Sequence, residues 1–254
     1  MSTSKRRERL SQILGFLDQT HGATIRDLSE RLGVSEMTIR RDLELLRSDH
    51  KATLVRAGAL PVSRPGYSLS DQDTPGASEK MRIGRKAASL LEKNDVVIID
   101  SGSTTEWLAR SIPSDLPVTI LCFALNILLE AGRGKARTIV VAGGAMRGDT
   151  LVFSSPEGVD MVRRYRAHKA FLSAQGAHLT LGVTCADGAE AELKKAALAS
   201  SQSRILLVDS RKLGRVSPAW FAHLKDFDAI ITDTGITLEY VEMFRTLGIA
   251  LHVV

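Results

Sequence analysis

Apolar residues in the opening stretch of the chain recur at helical spacing. Leu10, Ile13, Leu14 and Leu17 predict a helix from Lys5 to about Asp18, ended by His21-Gly22. Thr24 is placed to cap a second, short helix carrying Ile25, Leu28 and Leu32, with Asp27 at its third position as in a capping box. Gly33 closes that helix and permits a tight turn. Ser35 caps a third helix, in which Ile39, Leu43 and Leu46 form one apolar stripe. After Ser48 the pattern becomes short and strand-like, in Ala52-Thr-Leu-Val-Arg and Ala57-Gly-Ala, and could form the β-hairpin wing of a winged helix. Pro61 to Ala77, rich in Pro, Gly, Ser and Asp, reads as a linker.

Beyond the linker, short continuous apolar runs alternate with helical stretches. The runs are Asp95–Asp100, Val118–Cys122, Thr138–Ala142, Lys169–Ser173, Arg204–Asp209, Ala229–Thr232 and Ala250–Val254. Helical periodicity marks Lys80–Leu91, Ser103–Ser111, Leu125–Glu130, Gly158–Tyr165, Glu190–Ser200 and Leu238–Leu247. Strands apolar throughout, separated by helices, imply a mostly parallel sheet covered on both faces. The expected fold class is therefore α/β: an N-terminal winged helix-turn-helix at 1–60, a linker at 61–77, and a doubly wound α/β domain at 78–254.

Composition narrows this little. A hydrophobic share of 44% and a charged share of 25% are those of an ordinary globular protein. The longest apolar stretch, Val118 to Leu129, is interrupted by Asn126 and falls short of the ~20 residues that span a bilayer. The charged start, with no apolar segment after it, predicts a cytoplasmic protein without a membrane partner. Cys122 and Cys185 stand alone, with no Cys/His cluster, so reduced, buried thiols are expected and neither a metal nor another cofactor. The net charge is +5, and residues 1 to 60 hold 11 Lys/Arg against 8 Asp/Glu, so over half of the excess sits in about a quarter of the chain. That is compatible with a nucleic-acid partner.

Two short helices joined by Gly33-Val34-Ser35 have the geometry that lays the second helix in a DNA major groove. With Ile39, Leu43 and Leu46 inward, the residues at its start, Ser35, Glu36, Met37, Thr38, Arg40 and Arg41, are the candidates to meet DNA. Arg can hold guanine O6 and N7, Thr can contact either base class, and Glu can accept from cytosine N4. Whether each arginine reads a base or neutralises a phosphate stays open. Lys51 and Arg56 fall to the wing and the DNA backbone, and Arg6, Arg7 and Arg9 to phosphate or solvent.

Arg6-Arg-Glu-Arg-Leu, followed by Leu28-Ser-Glu-Arg-Leu-Gly-Val-Ser-Glu-Met-Thr-Ile-Arg-Arg-Asp-Leu43, resembles the signature of the DeoR family of bacterial regulators, Val34 to Leu43 being the specific part. The resemblance implies a transcriptional repressor of a sugar or nucleoside catabolic operon, with double-stranded operator DNA and a phosphorylated sugar as partners. After Ser48 the chain departs from the family, whose wing commonly contains a His-Gly-Gly step; here the run is Ser48-Asp-His-Lys-Ala-Thr-Leu-Val-Arg-Ala-Gly-Ala.

The second domain carries its own candidate site. A strand ending in Asp100-Ser-Gly-Ser-Thr-Thr and entering a helix leaves free N–H groups and hydroxyls where an anion would fit, although a well-capped turn is an equal reading of that loop alone. Site-type residues also follow other strands: Asn126, Gly143 with Gly144, Ala174-Gln-Gly, and Asp209 to Lys212. The family's sensor domain is similar to ribose-5-phosphate isomerase, and Asp100, Gly102, Ser103, Thr104 and Thr105 match its phosphate loop, Ser103 standing where Thr is usual. Asn126, Gly143, Gly144, Glu190, Lys194, Asp209 and Lys212 complete the effector set that the resemblance implies. The segments Cys122-Phe-Ala-Leu-Asn, Ala170 to His178, Gly182 to Cys185, and Leu213 to Asp228 extend the likeness over nearly the whole chain. They point to the branch of the family that answers to deoxyribose 5-phosphate.

The competing reading is a sugar-phosphate isomerase, for which Asp100, Glu190, Lys194 and Lys212 have the right chemistry. A DNA-reading module has no use in an isomerase, and Glu190 with Lys194 at i,i+4 is more often a surface pair. The expectation is a regulator and not an enzyme. Two DNA half-sites need two modules, so it is expected to be a homo-oligomer.

Overall fold

The computed structural model describes residues 2–20, 23–48, 52–55, 58–61, 76–148 and 150–254. The chain divides into two units, Met1–Pro65 and Gly66–Val254. In the first, α1 (Ser2–Thr20), β1 (Ala23–Thr24), α2 (Ile25–Leu32), α3 (Glu36–Ser48), β2 (Ala52–Val55) and β3 (Gly58–Pro61) follow in order. The three apolar stripes meet as one core: Ile13 and Leu17 from α1, Ile25 and Leu28 from α2, and Ile39, Leu43 and Leu46 from α3. The capping box forms at α2, the Asp27 amide donating to Thr24 Oγ1 and the Thr24 amide to Asp27 Oδ2, each at 3.1 Å. Gly33 ends the helix at φ 63°, in the left-handed region. β2 and β3 pair as a hairpin and β1 adds to β3, giving a sheet of order β1-β3-β2. The helix-turn-helix is thus winged, with a third strand too short for any periodicity to reveal.

In the second unit the elements are α4 (Ala77–Ala88), β4 (Val96–Ile99), α5 (Ser103–Ser111), β5 (Thr119–Cys122), α6 (Leu125–Ala131), β6 (Thr138–Val141), β7 (Ala145–Met146), β8 (Phe153–Ser154), α7 (Pro156–Arg164), β9 (Ala167–Ser173), β10 (Gly176–His178), β11 (Gly182–Cys185), α8 (Gly188–Ala199), β12 (Ser201–Leu207), β13 (Ala219–Ala222), β14 (Ala229–Thr232), α9 (Leu238–Thr246) and β15 (Ala250–Val253). The seven apolar runs read from the sequence become the seven strands of one parallel sheet, ordered β15-β14-β12-β9-β4-β5-β6. Its core is mainly aliphatic with some aromatic rings, and Val97, Ile98, Ile99, Ile120, Leu121, Phe171, Leu172, Leu206 and Ile230 are among the buried residues.

Two further features were not legible as pattern. β7 and β8 form a two-residue ladder, and β10, β11 and β13 form a small antiparallel sheet. Strands of two to four residues interrupted by glycine show no usable period. The helix expected from Lys80 begins earlier, at Ala77, because its N-cap is Gly76 with no side-chain cap to announce the start. Of the expected linker, residues 62–75 lie outside the described ones. Cys122 and Cys185 are buried and unbridged, and burial pushes their thiols up to about 12 and about 11. Among the described residues, no helix is long and apolar enough to cross a membrane.

Candidate functional site

The start of α3 presents the expected face. Glu36, Met37, Arg40 and Arg41 are exposed, and Met37 keeps 60% of its surface although it is apolar. Thr38 is half-buried, and the Ser35 hydroxyl serves the helix start, 2.9 Å from the Thr38 hydroxyl and accepting from the Thr38 amide at 3.3 Å. Arg40 lies 3.9 Å from Glu36 one turn back, while Arg41 makes no ion pair among the described residues. The next residue, Asp42, turns inward and is 1% exposed. It accepts from Arg6 at 3.1 Å and Arg9 at 2.6 Å, pinning α1 to α3. Arg6 and Arg9 thus have an internal partner as well as an outward position, a role their spacing did not reveal. The side chains of Arg7, Lys51 and Arg56 lie outside the described residues.

In the second unit, successive strands after β4 step one way, to β5 and β6, whereas those after β9 step the other way, to β12, β14 and β15. The carboxyl ends of the adjacent strands β4 and β9 therefore mark the point where an open α/β sheet forms its ligand crevice. Asp100 follows β4 and Ser173 ends β9. The Asp100 carboxylate accepts from the Ser173 amide at 2.7 Å and its hydroxyl at 3.1 Å, and it pairs with the ammonium of Lys194. Lys194 also donates to the Ser173 carbonyl at 3.1 Å and lies 3.2 Å from Glu190, whose carboxylate accepts from Ser101 at 2.8 Å. The ring of Phe221, from the small sheet, closes the cluster 5.3 Å from the ammonium.

Asp100 is fully buried and Lys194 is 1% exposed. The i,i+4 pair Glu190–Lys194 is accordingly an interior one, and its weighing as a surface pair is corrected: α8 turns that face toward the ends of β4 and β9. Burial pushes the Asp100 carboxyl up to about 6, with Lys194 pulling the other way. Burial likewise opposes the charge on Lys194, but Asp100 and Glu190 outweigh it and hold the lysine above its ordinary range. Ser101 and Ser173 belong to this network and were not singled out in the sequence. Ser173 was findable as the last residue of the run that turned out to neighbour β4.

The loop between β4 and α5 has the predicted open helix start. Gly102 is its N-cap, no side chain caps it, and α5 runs on for nine residues. Gly102 sits at φ 153°, and a Cβ there would stand 2.2 Å from Ser173 Oγ, so the close approach of β9 excludes any larger residue. Thr105 spends its hydroxyl within the loop, on the carbonyls of Asp100 (3.2 Å) and Gly102 (3.0 Å). The hydroxyls of Ser103 and Thr104 have no hydrogen-bond partner among the described residues.

The other expected residues lie along the same sheet edge but not all together. Neighbouring strands are about 4.8 Å apart, so from Gly143 after β6 to Asp209 after β12 is four spacings, about 19 Å. One small sugar cannot reach both ends. Gly143 and Gly144 form the turn into β7: a Cβ on Gly144 would stand 2.5 Å from the Ser154 carbonyl. Asn126 is fully buried, its amide donating at 3.1 Å to Glu106, which also accepts from Arg110 at 2.8 Å. Its Oδ1 has no partner among the described residues. On the other side, Asp209 is buried and caps the short 3-10 turn Ser210–Lys212, accepting from the amide of Arg211 at 3.2 Å and from its Nε at 2.9 Å. Lys212 has no ion-pair partner among the described residues. Burial lowers its basicity most, and Lys80, Arg215 and Arg211 lower it further against the pull of Asp209.

Residues 76–234 match the family described as "DeoR C terminal sensor domain", and residues 9–64 match "DeoR-like helix-turn-helix domain". The chain is 33% identical to the deoxyribose operon repressor of Escherichia coli K12 over 252 residues, 98% of each protein. It is 27% identical to the HTH-type transcriptional regulator GolR of Listeria innocua, covering 97% of this chain and 98% of that one. With the HTH-type transcriptional regulator IolR of Bacillus subtilis it shares 28% identity, covering 92% and 94%. Among solved structures, ribose 5-phosphate isomerase A of Methanocaldococcus jannaschii superposes with a TM-score of 0.40 at 17% identity, over 55% of each chain. A probable sor operon regulator from Shigella flexneri gives a TM-score of 0.42 at 10% identity, over 65% of this chain and 89% of that one.

Proposed function

The chain belongs to the DeoR family of transcriptional regulators, and from that premise we propose a repressor that grips operator DNA through α3 and lets go when a sugar phosphate occupies the β4–β9 crevice. The observation that carries the sensor reading is an uncapped helix start after β4 together with Lys212, which follows β12 two strands along the same sheet edge, is half-buried and makes no ion pair among the described residues. An anionic ligand suits each, since helix N–H groups and an ammonium are both stabilised by negative charge. Deoxyribose 5-phosphate is the effector we propose, on the strength of the relative at 33% identity. The protein acts in the cytoplasm as a homo-oligomer, two α3 helices meeting two half-sites.

Lys212 remains open to an isomerase, which would also need Asp100, Glu190 or Lys194 free to move a proton. All three are instead spent on one another and on Ser101 and Ser173. We therefore read the site as a switch and not a catalyst, and purified protein should interconvert no pentose phosphates. The test of the sensor is a thermal-shift screen against phosphorylated pentoses, hexoses and the free sugars. A higher unfolding midpoint with deoxyribose 5-phosphate and none with deoxyribose is expected. A response only to another sugar phosphate would replace the effector, and no response to any phosphate would refute the sensor.

A further inference from the structure

Arg211 touches both Asp209, one of the expected effector residues, and Gly76, the next described residue of the expected linker after Pro61. Its guanidinium is drawn back by Asp209, through Nε at 2.9 Å, and comes to rest against Gly76. The fit is close enough that a Cβ on Gly76 would stand 1.6 Å from Arg211 Nη2. Gly76 adopts φ 80°, in the left-handed region, and is the cap from which α4 starts, under the guanidinium. Arg211 is also the middle residue of the 3-10 turn that carries Lys212, and its own amide is held by the same Asp209 oxygen. Nothing in the sequence spacing joins Gly76 to Arg211, which are 135 positions apart.

We infer that Arg211 is the positioning residue that passes effector occupancy to the linker: ligand contacts made by Asp209 and Lys212 shift the 3-10 turn, and the guanidinium seated on Gly76 moves with it. This rests on the functional reading above. The physical reason is that Asp209 Oδ1 serves two donors of Arg211 at once. A sugar hydroxyl that engages that carboxylate weakens the hold on Arg211, and a phosphate that neutralises Lys212 removes the repulsion between neighbouring cations in the same turn. Gly76 converts this into a backbone change, because a left-handed glycine held under a side chain has other conformations open to it once the contact is released. The two states of the switch are Arg211 seated on Gly76, as in this structure, and Arg211 displaced.

The experiment compares the full-length wild type with Arg211→Ala and Gly76→Ala, measuring two quantities on each. One is the dissociation constant for deoxyribose 5-phosphate, by calorimetry; the other is the ratio of operator affinities without and with saturating sugar phosphate. The expected result is sugar-phosphate affinity equal to or tighter than that of the wild type for both variants, because the seated state no longer has to be displaced, with the operator ratio collapsing toward one. Gly76→Ala adds a methyl where the guanidinium sits, so it should break the coupling even with Arg211 present. A variant pair that binds the sugar phosphate and releases DNA as the wild type does would overturn the inference. So would Arg211→Ala that no longer binds the sugar phosphate, since Arg211 would then be a ligand contact. If the wild type itself bound no sugar phosphate, the sensor reading would fail first and take the coupling with it.

Discussion

At the scale of single residues, the Asp100–Lys194 pair couples stability to the site. Both groups are out of water, so removing Lys194 leaves the Asp100 and Glu190 carboxylates without their interior cation, at about 3–5 kcal/mol, while removing Asp100 leaves Lys194 only Glu190. Lys194→Met and Asp100→Ala should each lower the thermal midpoint of the second unit markedly. An unchanged midpoint would show that the pair is solvated. Lys212 is the cleaner probe of the ligand, because its side chain makes no hydrogen bond or ion pair among the described residues: Lys212→Ala should leave the fold intact and weaken sugar-phosphate binding. Its titration gives a signed prediction. The folded chain binds a proton at Lys212 less readily than the unfolded one does, so this group adds stability as pH rises toward 10.5. A bound phosphate favours the charged ammonium, so effector affinity should fall over that same rise, beginning before an ordinary lysine would titrate. A flat pH profile of affinity would remove Lys212 from the contact. On the DNA side, Arg41→Ala should cost about 1–3 kcal/mol of operator affinity at fixed salt if Arg41 reads a base, and lower the salt slope by about one if it meets a phosphate. No change in either would displace α3 from the groove.

The elements show why some of this was readable in advance. The helices of the first unit announce themselves by cap and stripe, and Thr24, Asp27, Gly33 and Ser35 all do in the structure what their positions implied. Gly33 tests that logic in isolation. A Cβ there meets nothing within 4 Å, so Gly33→Ala strains only the left-handed backbone and should destabilise the first unit by about 1–2 kcal/mol in denaturant unfolding. A neutral effect would mean the turn tolerates another conformation. In the second unit each apolar run became a strand because a strand buried on both faces needs no polar alternation. The order of those strands was not readable, and with it went the reason that Ser173 and Asp100 touch. Lys194 shows the same limit. An i,i+4 spacing fixes its neighbour on the helix, Glu190, but only the packing of α8 decides whether that face meets water. The loop Asp100 to Thr105 was legible as a motif, whereas the division of labour within it, Thr105 fastening the loop while Ser103 and Thr104 are left open, depends on where β9 comes to lie.

At the scale of the whole molecule, the proposed repressor would couple a DNA-binding unit to a unit that senses a sugar phosphate, through 14 residues between Pro61 and Gly76. Coupling of this kind is a difference in DNA affinity between the empty and occupied sensor, typically 1–3 kcal/mol, or about 5–150-fold. It is reciprocal, so operator DNA must weaken sugar-phosphate binding by the same factor. The central claim is met most directly by one titration: full-length protein against a labelled duplex from its own promoter region, at fixed salt, with and without saturating deoxyribose 5-phosphate. The account predicts that operator affinity falls at least fivefold with the sugar phosphate present and is untouched by deoxyribose. Equal affinity in the two titrations, with the sugar phosphate independently shown to be bound, would contradict it.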